Sequence, residues 1–192
     1  VFGGFGAAVF TAEGDASAGA DHRLRGVFLG DGHSPSHDPP MRLRDLAPAM
    51  LDRGIELVYT EDLAVLDRAI LDRYPVLMIY GNHEYLSPEQ EAALLSYVED
   101  GGGLVAVHSA SGMFGNSSAY IELIGGQFLS HGSGVFSERI AEPDHPIMQG
   151  YEPFSSWDET YVHQRHNEVN RTVLLYRENE PWTWVRTHGD GR

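Results

Sequence analysis

The chain contains no cysteine and no lysine; all thirteen of its basic residues are arginine. Without a thiol there is no thiolate nucleophile, no disulfide, no cysteine zinc site and no iron–sulfur cluster. Without an ε-amine there is no Schiff base and no phosphate-loop lysine. Positive charge is scarce overall: 13 Lys+Arg stand against 28 Asp+Glu, a formal net charge of −15 over 192 residues. A surface of that sign repels nucleic acid and anionic membranes, so neither is expected as a partner. No run of 18 apolar residues occurs, and no membrane insertion is expected. The groups left for chemistry are His, Asp, Glu, Ser, Thr and Tyr, and His is plentiful at ten residues.

At 42% hydrophobic and 21% charged, the chain can bury a full core in one domain. Residues 1–24 stand apart from the rest. Val1 to Phe10 is small and apolar, and Ala16-Ser17-Ala18 has the form of an A-x-A cleavage site. The segment reads either as the remnant of a secretory signal peptide or as a flexible Gly/Ala-rich leader. The first implies a periplasmic or secreted protein, the second allows a cytoplasmic one. Residues 25–192 read as the folded domain.

From Arg25 the pattern alternates strand and helix. Apolar runs at Gly26–Gly30, Ile55–Tyr59, Pro75–Tyr80 and Leu104–Val107 read as strands buried on both faces. Leu43, Leu46, Ala47, Met50 and Leu51 recur at helical spacing, stopped by Gly54, and Leu63, Leu66, Ala69 and Ile70 mark a short helix. Ser87, Pro88 and Gln90 form the start of a third helix, with Ser as cap and Gln closing a capping box. This alternation predicts an α/β fold with a parallel sheet. Beyond residue 125, Val135–Ala141, Arg171–Tyr176 and Trp182–Thr187 read as strands separated by long polar loops.

An open parallel sheet binds ligands beyond the carboxyl ends of its strands. Three loops there carry His: Asp31 to Asp38 with His33 and His37, Gly81 to Tyr85 with His83, and His108-Ser109-Ala110-Ser111-Gly112. In the third loop Ser109 or His108 stands at a strand-to-helix turn, the place of a nucleophile elbow, although the flanking glycines of G-x-S-x-G are missing. A second polar cluster runs from Ser155 to Glu168 and includes Trp157, Asp158, Glu159, Tyr161, His163 and His166. Its carboxylates and imidazoles suit general acid–base work or a divalent metal, but the spacing matches no standard zinc signature and no facial triad is readable. It reads equally as a surface loop. The candidates are therefore His108, Ser109, Asp158 and Glu159 as catalytic groups, His33, His83, Trp157 and Tyr161 for substrate, and His131 and His163 for a metal. Aromatic rings such as Trp157 floor sugar sites by packing on C–H faces.

Several segments together resemble the ThuA-like, or trehalose-utilisation, family. They are Ser87-Pro88-Glu89-Gln90 with Gly101 to Val105, Val107-His108-Ser109-Ala110, Pro143-Asp144-His145-Pro146-Ile147 with Gly150, Trp157 to Tyr161, and Trp184-Val185-Arg186 with Gly189 to Arg192. The resemblance spans about Arg25 to Arg192. It implies a class I glutamine amidotransferase-like fold: a flavodoxin-like three-layer αβα sandwich with a mainly parallel sheet. It also implies a link to disaccharides and their 3-keto derivatives, with a small-molecule sugar as the partner. Similar domains of secreted bacterial proteins are fused to haem-binding or sugar-dehydrogenase modules. The His108-Ser109 turn matches the elbow where amidotransferases carry a nucleophilic Cys; with Ser109 there and no Cys in the chain, glutaminase chemistry is not expected. Relatives continue past the Gly191-Arg192 position with a strand, a Gly-His pair and a helix, so a truncated C-terminal end is expected. Two functions follow: a sugar enzyme with a His/carboxylate pocket, or a non-catalytic carbohydrate-binding or scaffolding domain of a larger secreted redox protein. A nucleotide binder is disfavoured, since no G-x-G-x-x-G follows the first strand.

Overall fold

The computed structural model describes residues 23–32 and 37–192. The leader expectation falls mostly on residues 1–22, and His33 on the 33–36 stretch; both lie outside the described residues. The first half of the domain alternates β1 (Leu24–Gly30), α1 (Pro39–Leu51), β2 (Ile55–Thr60), α2 (Arg68–Leu71), β3 (Val76–Tyr80), α3 (Pro88–Glu99) and β4 (Gly103–Ala106). The strands form one parallel sheet in the order β2-β1-β3-β4. Side chains alternate across it, as the strand period of two requires. Val27, Leu29, Leu77 and Ile79 face the layer containing α3 and α4 (Ser118–Ile124), through Leu94, Tyr97, Val98, Tyr120 and Ile121. Phe28, Leu57 and Tyr80 face α1, through Leu43 and Ala47. Both faces of β1 and β3 are covered, which is why they read as unbroken apolar runs, but β4 stands at the sheet edge and leaves Val105 and Ala106 exposed, against the expectation of a strand buried on both faces.

The helix starts are set by side-chain caps. Ser87 Oγ accepts from Gln90 N at 3.2 Å while Gln90 Oε1 accepts from Ser87 N at 3.0 Å, the reciprocal box expected from the sequence. Asp38 caps α1 by accepting from Met41 N, so that helix begins at Pro39, earlier than its apolar period suggests. The stretch at 63–70 is broken by Asp67, which caps α2 by accepting from Ala69 N; Leu63–Val65 is a separate 3₁₀ turn.

The second half departs from the mainly parallel three-layer expectation. β5 (Gln127–Ile140), β6 (Ser155–Gln164), β7 (Arg171–Arg177) and β8 (Glu180–Arg186) form their own antiparallel sheet in the order β6-β5-β7-β8. β5 is twice the expected length because it serves two partners: residues 127–137 pair with β6 and 138–140 with β7. The Ser155–Gln164 segment, expected as loop, is a strand. Neither of its faces is uniformly apolar, so the alternating signal is missing, although Trp, Thr, Tyr and Val suit extended backbone. This sheet is tied to α4: Trp184 Nε1 donates to Ile124 O at 2.8 Å and Asn167 N to Gly125 O at 3.1 Å.

α4 in turn fixes the loop after β4. The fully buried Tyr120 donates its hydroxyl to Ala110 O at 3.0 Å and packs edge-on against Phe114. Tyr120→Phe removes that bond while keeping the ring, and should lower unfolding free energy by about 1 kcal/mol. Urea unfolding checks this; an unchanged midpoint and slope would show that the loop is held by packing alone.

Candidate functional site

Three parallel strands deliver polar residues to one edge. β1 runs into Asp31 and, across the loop, His37; β3 ends at Tyr80 and is followed closely by Asn82; β4 ends at Ala106, two positions before His108. The backbone at His108 has φ 52°, a left-handed conformation that non-glycine residues rarely take. The chain turns there into the 3₁₀ segment His108–Gly112. His108 is therefore the tip of the elbow. Ser109 is 3% exposed, its hydroxyl has no partner among the described residues, and it does not line the cleft. The resemblance puts Ser109 at the tip; the structure gives that place to the residue before it.

The antiparallel hairpin supplies the opposite wall. Glu159 and Tyr161 are two residues apart on β6 and so project to the same side. Both reach His108. Tyr161 and His108 rings lie 4.5 Å apart, with the phenol 3.1 Å from His108 Nδ1. Glu159 Oε2 is 3.3 Å from His108 Nε2, and its other oxygen is 3.8 Å from His131 Nε2 on β5. On the parallel-sheet side, His37 packs edge-on to His108 at 5.1 Å and to Tyr80 at 5.8 Å. Asn82 holds His37 Nδ1 at 2.8 Å, and Tyr80 donates to His37 O at 3.1 Å.

Burial decides the protonation states. Removal from water, then the neighbouring His37, push the His108 imidazole below its ordinary value, against the pull of Glu159 and Asp158. Burial, then the Glu159 charge, push the Tyr161 phenol well up, so it keeps its proton. One hydrogen is shared between the phenol oxygen and His108 Nδ1, and which of the two donates follows the imidazole tautomer.

The cleft between the two sheets has a volume of about 600 Å³, within the usual range for small-molecule sites. His37, Tyr80, His108, Trp157, Asp158 and Glu159 line it, with Arg42 of α1 on the far side. Trp157 is 69% exposed at its mouth. Of the residues singled out from sequence, His108, Glu159, Tyr161 and His131 are brought together, and Trp157 and Asp158 stand on the same cleft. His83 does not line it. Its Nε2 meets Gly30 O at 2.8 Å and its ring stacks on Phe114, clamping the ends of β1 and β3 together. Sequence reasoning places His37 at a strand end without choosing it as a site residue, and misses Tyr80 and Arg42. His37 shares the β1 loop with His33, and nothing in sequence ranks one above the other. Tyr80 is hidden as the last residue of an apolar run.

The trehalose-utilisation (ThuA) family profile matches residues 27–192. The chain belongs to the ThuA family. Among solved structures, a ThuA-like protein from Bacteroides uniformis is similar at 18% identity and TM-score 0.74, covering 92% of this chain and 87% of that one. A ThuA-like protein from Parabacteroides merdae is similar at 14% identity and TM-score 0.71, covering 88% and 76%. A Thermoplasma acidophilum protein described as belonging to a GMP synthase shares the fold at 14% identity and TM-score 0.52, covering 86% and 79%. No curated protein matches. These neighbours show a glutamine amidotransferase-like fold. The elbow that in amidotransferases presents a thiol here presents the imidazole of His108.

His163, paired with His131 as a metal candidate from sequence, stands apart from the cleft in this ThuA domain. Its side chain is 7% exposed, its Nδ1 lies 3.2 Å from Glu180 Oε1, and its ring meets Trp184 edge-on at 5.3 Å. Burial pushes His163 below its ordinary value of 6.5, opposed by Glu180 and aided by His166 and Arg177. The unfolded chain therefore takes up this proton more readily than the folded one. The stability His163 contributes is complete above the unfolded value and is lost as pH falls through the folded one. His163→Gln should flatten the fall in stability between about pH 7 and pH 5. Thermal melts across that interval check it; parallel curves for the two proteins would contradict the assignment.

Proposed function

We propose that this ThuA domain is an enzyme that binds a disaccharide or its 3-keto derivative in the cleft and acts on it by proton transfer. The observation that carries the reading is the convergence of His108, Glu159, Tyr161 and His37 on one point from two separate sheets. A merely structural histidine does not need a left-handed backbone and three polar partners at the mouth of a cleft. The family's link to trehalose utilisation supplies the substrate class. The exposed Trp157 ring beside Asp158 and Arg42 offers an apolar face flanked by hydrogen-bonding charges, the combination a sugar requires.

A ketone at C3 acidifies the neighbouring C–H at C2. A base that removes that proton generates an enolate whose charge rests on the C3 oxygen. Collapse of the enolate expels the C1 substituent, which takes a proton from an acid. His108 and Glu159 are placed to orient the reacting oxygen. Tyr161, held protonated, is the hydrogen-bond donor for the developing charge. Asp158, the more exposed carboxylate of the cleft, is the base. A fixed base or acid of this kind contributes about 100-fold or more in rate.

His108→Asn tests the reading with the backbone respected, because asparagine tolerates positive φ better than most residues. Loss of the group that orients the reacting oxygen should lower turnover of 3-keto-trehalose and related 3-keto disaccharides by about 100-fold or more, with circular dichroism unchanged. Sugar binding by calorimetry with undiminished affinity in the variant, and no turnover by the parent chain with or without divalent cations, would instead make it a non-catalytic sugar-binding domain.

A further inference from the structure

His37, His108 and Glu159 have a second property. One ring nitrogen from each imidazole and one carboxylate oxygen lie within 4.8 Å of one another. Two imidazoles and one carboxylate are the donor set of a divalent first-row transition metal, held by three protein ligands with positions left for substrate. We propose that these three residues form a divalent-metal centre that chelates the ketone and adjacent hydroxyl oxygens of the sugar.

The spacing fits without rearrangement at one edge. Ligands about 2.1 Å from a cation stand about 3.0 Å apart at right angles and about 3.4 Å apart at tetrahedral angles, and His108 Nε2 and Glu159 Oε2, 3.3 Å apart, fall in the range that a five- or six-coordinate centre with two open positions spans. Each imidazole also has an outer partner that fixes its orientation, as ligating histidines require. Asn82 Nδ2 lies 2.8 Å from His37 Nδ1; loading the cation requires the amide to turn over so that Oδ1 takes that place, which puts the hydrogen on Nδ1 and the lone pair on Nε2. Tyr161 does the same for His108 Nδ1 at 3.1 Å, since a phenol oxygen accepts as readily as its hydrogen donates. In the loaded centre the His108 hydrogen sits on Nδ1 against the Tyr161 oxygen, and the phenol hydrogen turns to the substrate. Scaffolding agrees with this division. The three ligands come from a β1 loop, the elbow after β4 and a strand of the other sheet, so the cation would pin the two sheets together. The formal charge of −15 also favours cation capture in an acidic field.

The proposal rests on the carbohydrate reading only for what occupies the open positions. A bound cation polarises the C3 carbonyl and stabilises the enolate oxygen. His108 and Glu159 then serve as ligands, and the proton still goes to Asp158. An α-hydroxyketone, with two oxygens on adjacent carbons, is the substrate group such a centre selects.

Calorimetric titration of the full chain, freed of metal by chelator, with Zn²⁺ and with Mn²⁺ tests the centre without any sugar present. The expected result is one tight site per chain for at least one of the two ions. His37→Ala and the near-isosteric Glu159→Gln should each weaken it by at least about 100-fold, Asn82→Ala by about 10-fold, and His163→Ala within about twofold. Circular dichroism of each variant shows whether the fold is kept; Glu159→Gln is the decisive one if His37→Ala misfolds. No site for either ion, or a site indifferent to Glu159→Gln, overturns the proposal. Because the readout is binding, a chain that holds metal but turns over no keto sugar fails only the substrate reading. One that turns over keto sugar after chelation and binds no ion fails only the metal reading.

Discussion

The site depends on the left-handed backbone at His108. Strand β4 delivers the chain to the edge of the parallel sheet, and φ 52° there throws one imidazole outward while burying the following serine. Strain of this kind persists only where surrounding structure over-determines it. Two features supply that. Tyr120 bonds the loop from beneath through Ala110 O, and Tyr161 and Glu159 contact the ring from above. His108 is thus the point where the parallel and antiparallel halves meet. Its orientation registers the packing of both.

That junction sets this chain apart from a thiol-bearing elbow on the same fold. The elbow turn is present, but it carries the His108 imidazole, and the chain has no cysteine to supply a thiol. The second sheet contributes what the elbow alone lacks: a carboxylate, a protonated phenol and an exposed indole, all from Trp157 to Tyr161 of β6. The candidate site therefore belongs to a contact between sheets, and neither sheet holds it complete by itself.

The parallel half was legible because its physics is local. Apolar runs, helical spacing and the Ser87–Gln90 box each leave a mark within a dozen residues, and the three His-bearing strand ends followed from the sheet rule. The family resemblance agreed with these. The antiparallel half was less legible. β6 is half-exposed and polar on both faces, so its most functional segment had the composition of a loop. The gathering of His108, Glu159, Tyr161 and His131 involves contacts between residues far apart in the chain, 53 positions for His108 and Tyr161, which no spacing argument reaches. His37 was visible as one of two histidines in its loop; only the Asn82 and Tyr80 contacts separate it from its neighbour. The His163 pairing with Glu180 depends on β8 lying beside β7, a topology the sequence pattern does not encode.

The central claim is that sugar chemistry takes place at the His108 junction. The most direct measurement is a crystal structure of the chain with a 3-keto disaccharide bound. The account predicts a sugar ring stacked on Trp157, with its ketone oxygen within hydrogen-bonding distance of the Tyr161 phenol, or on a cation between His37, His108 and Glu159. A sugar seated outside this cleft, with the His108–Glu159 contact unaltered beside an empty mouth, would contradict it.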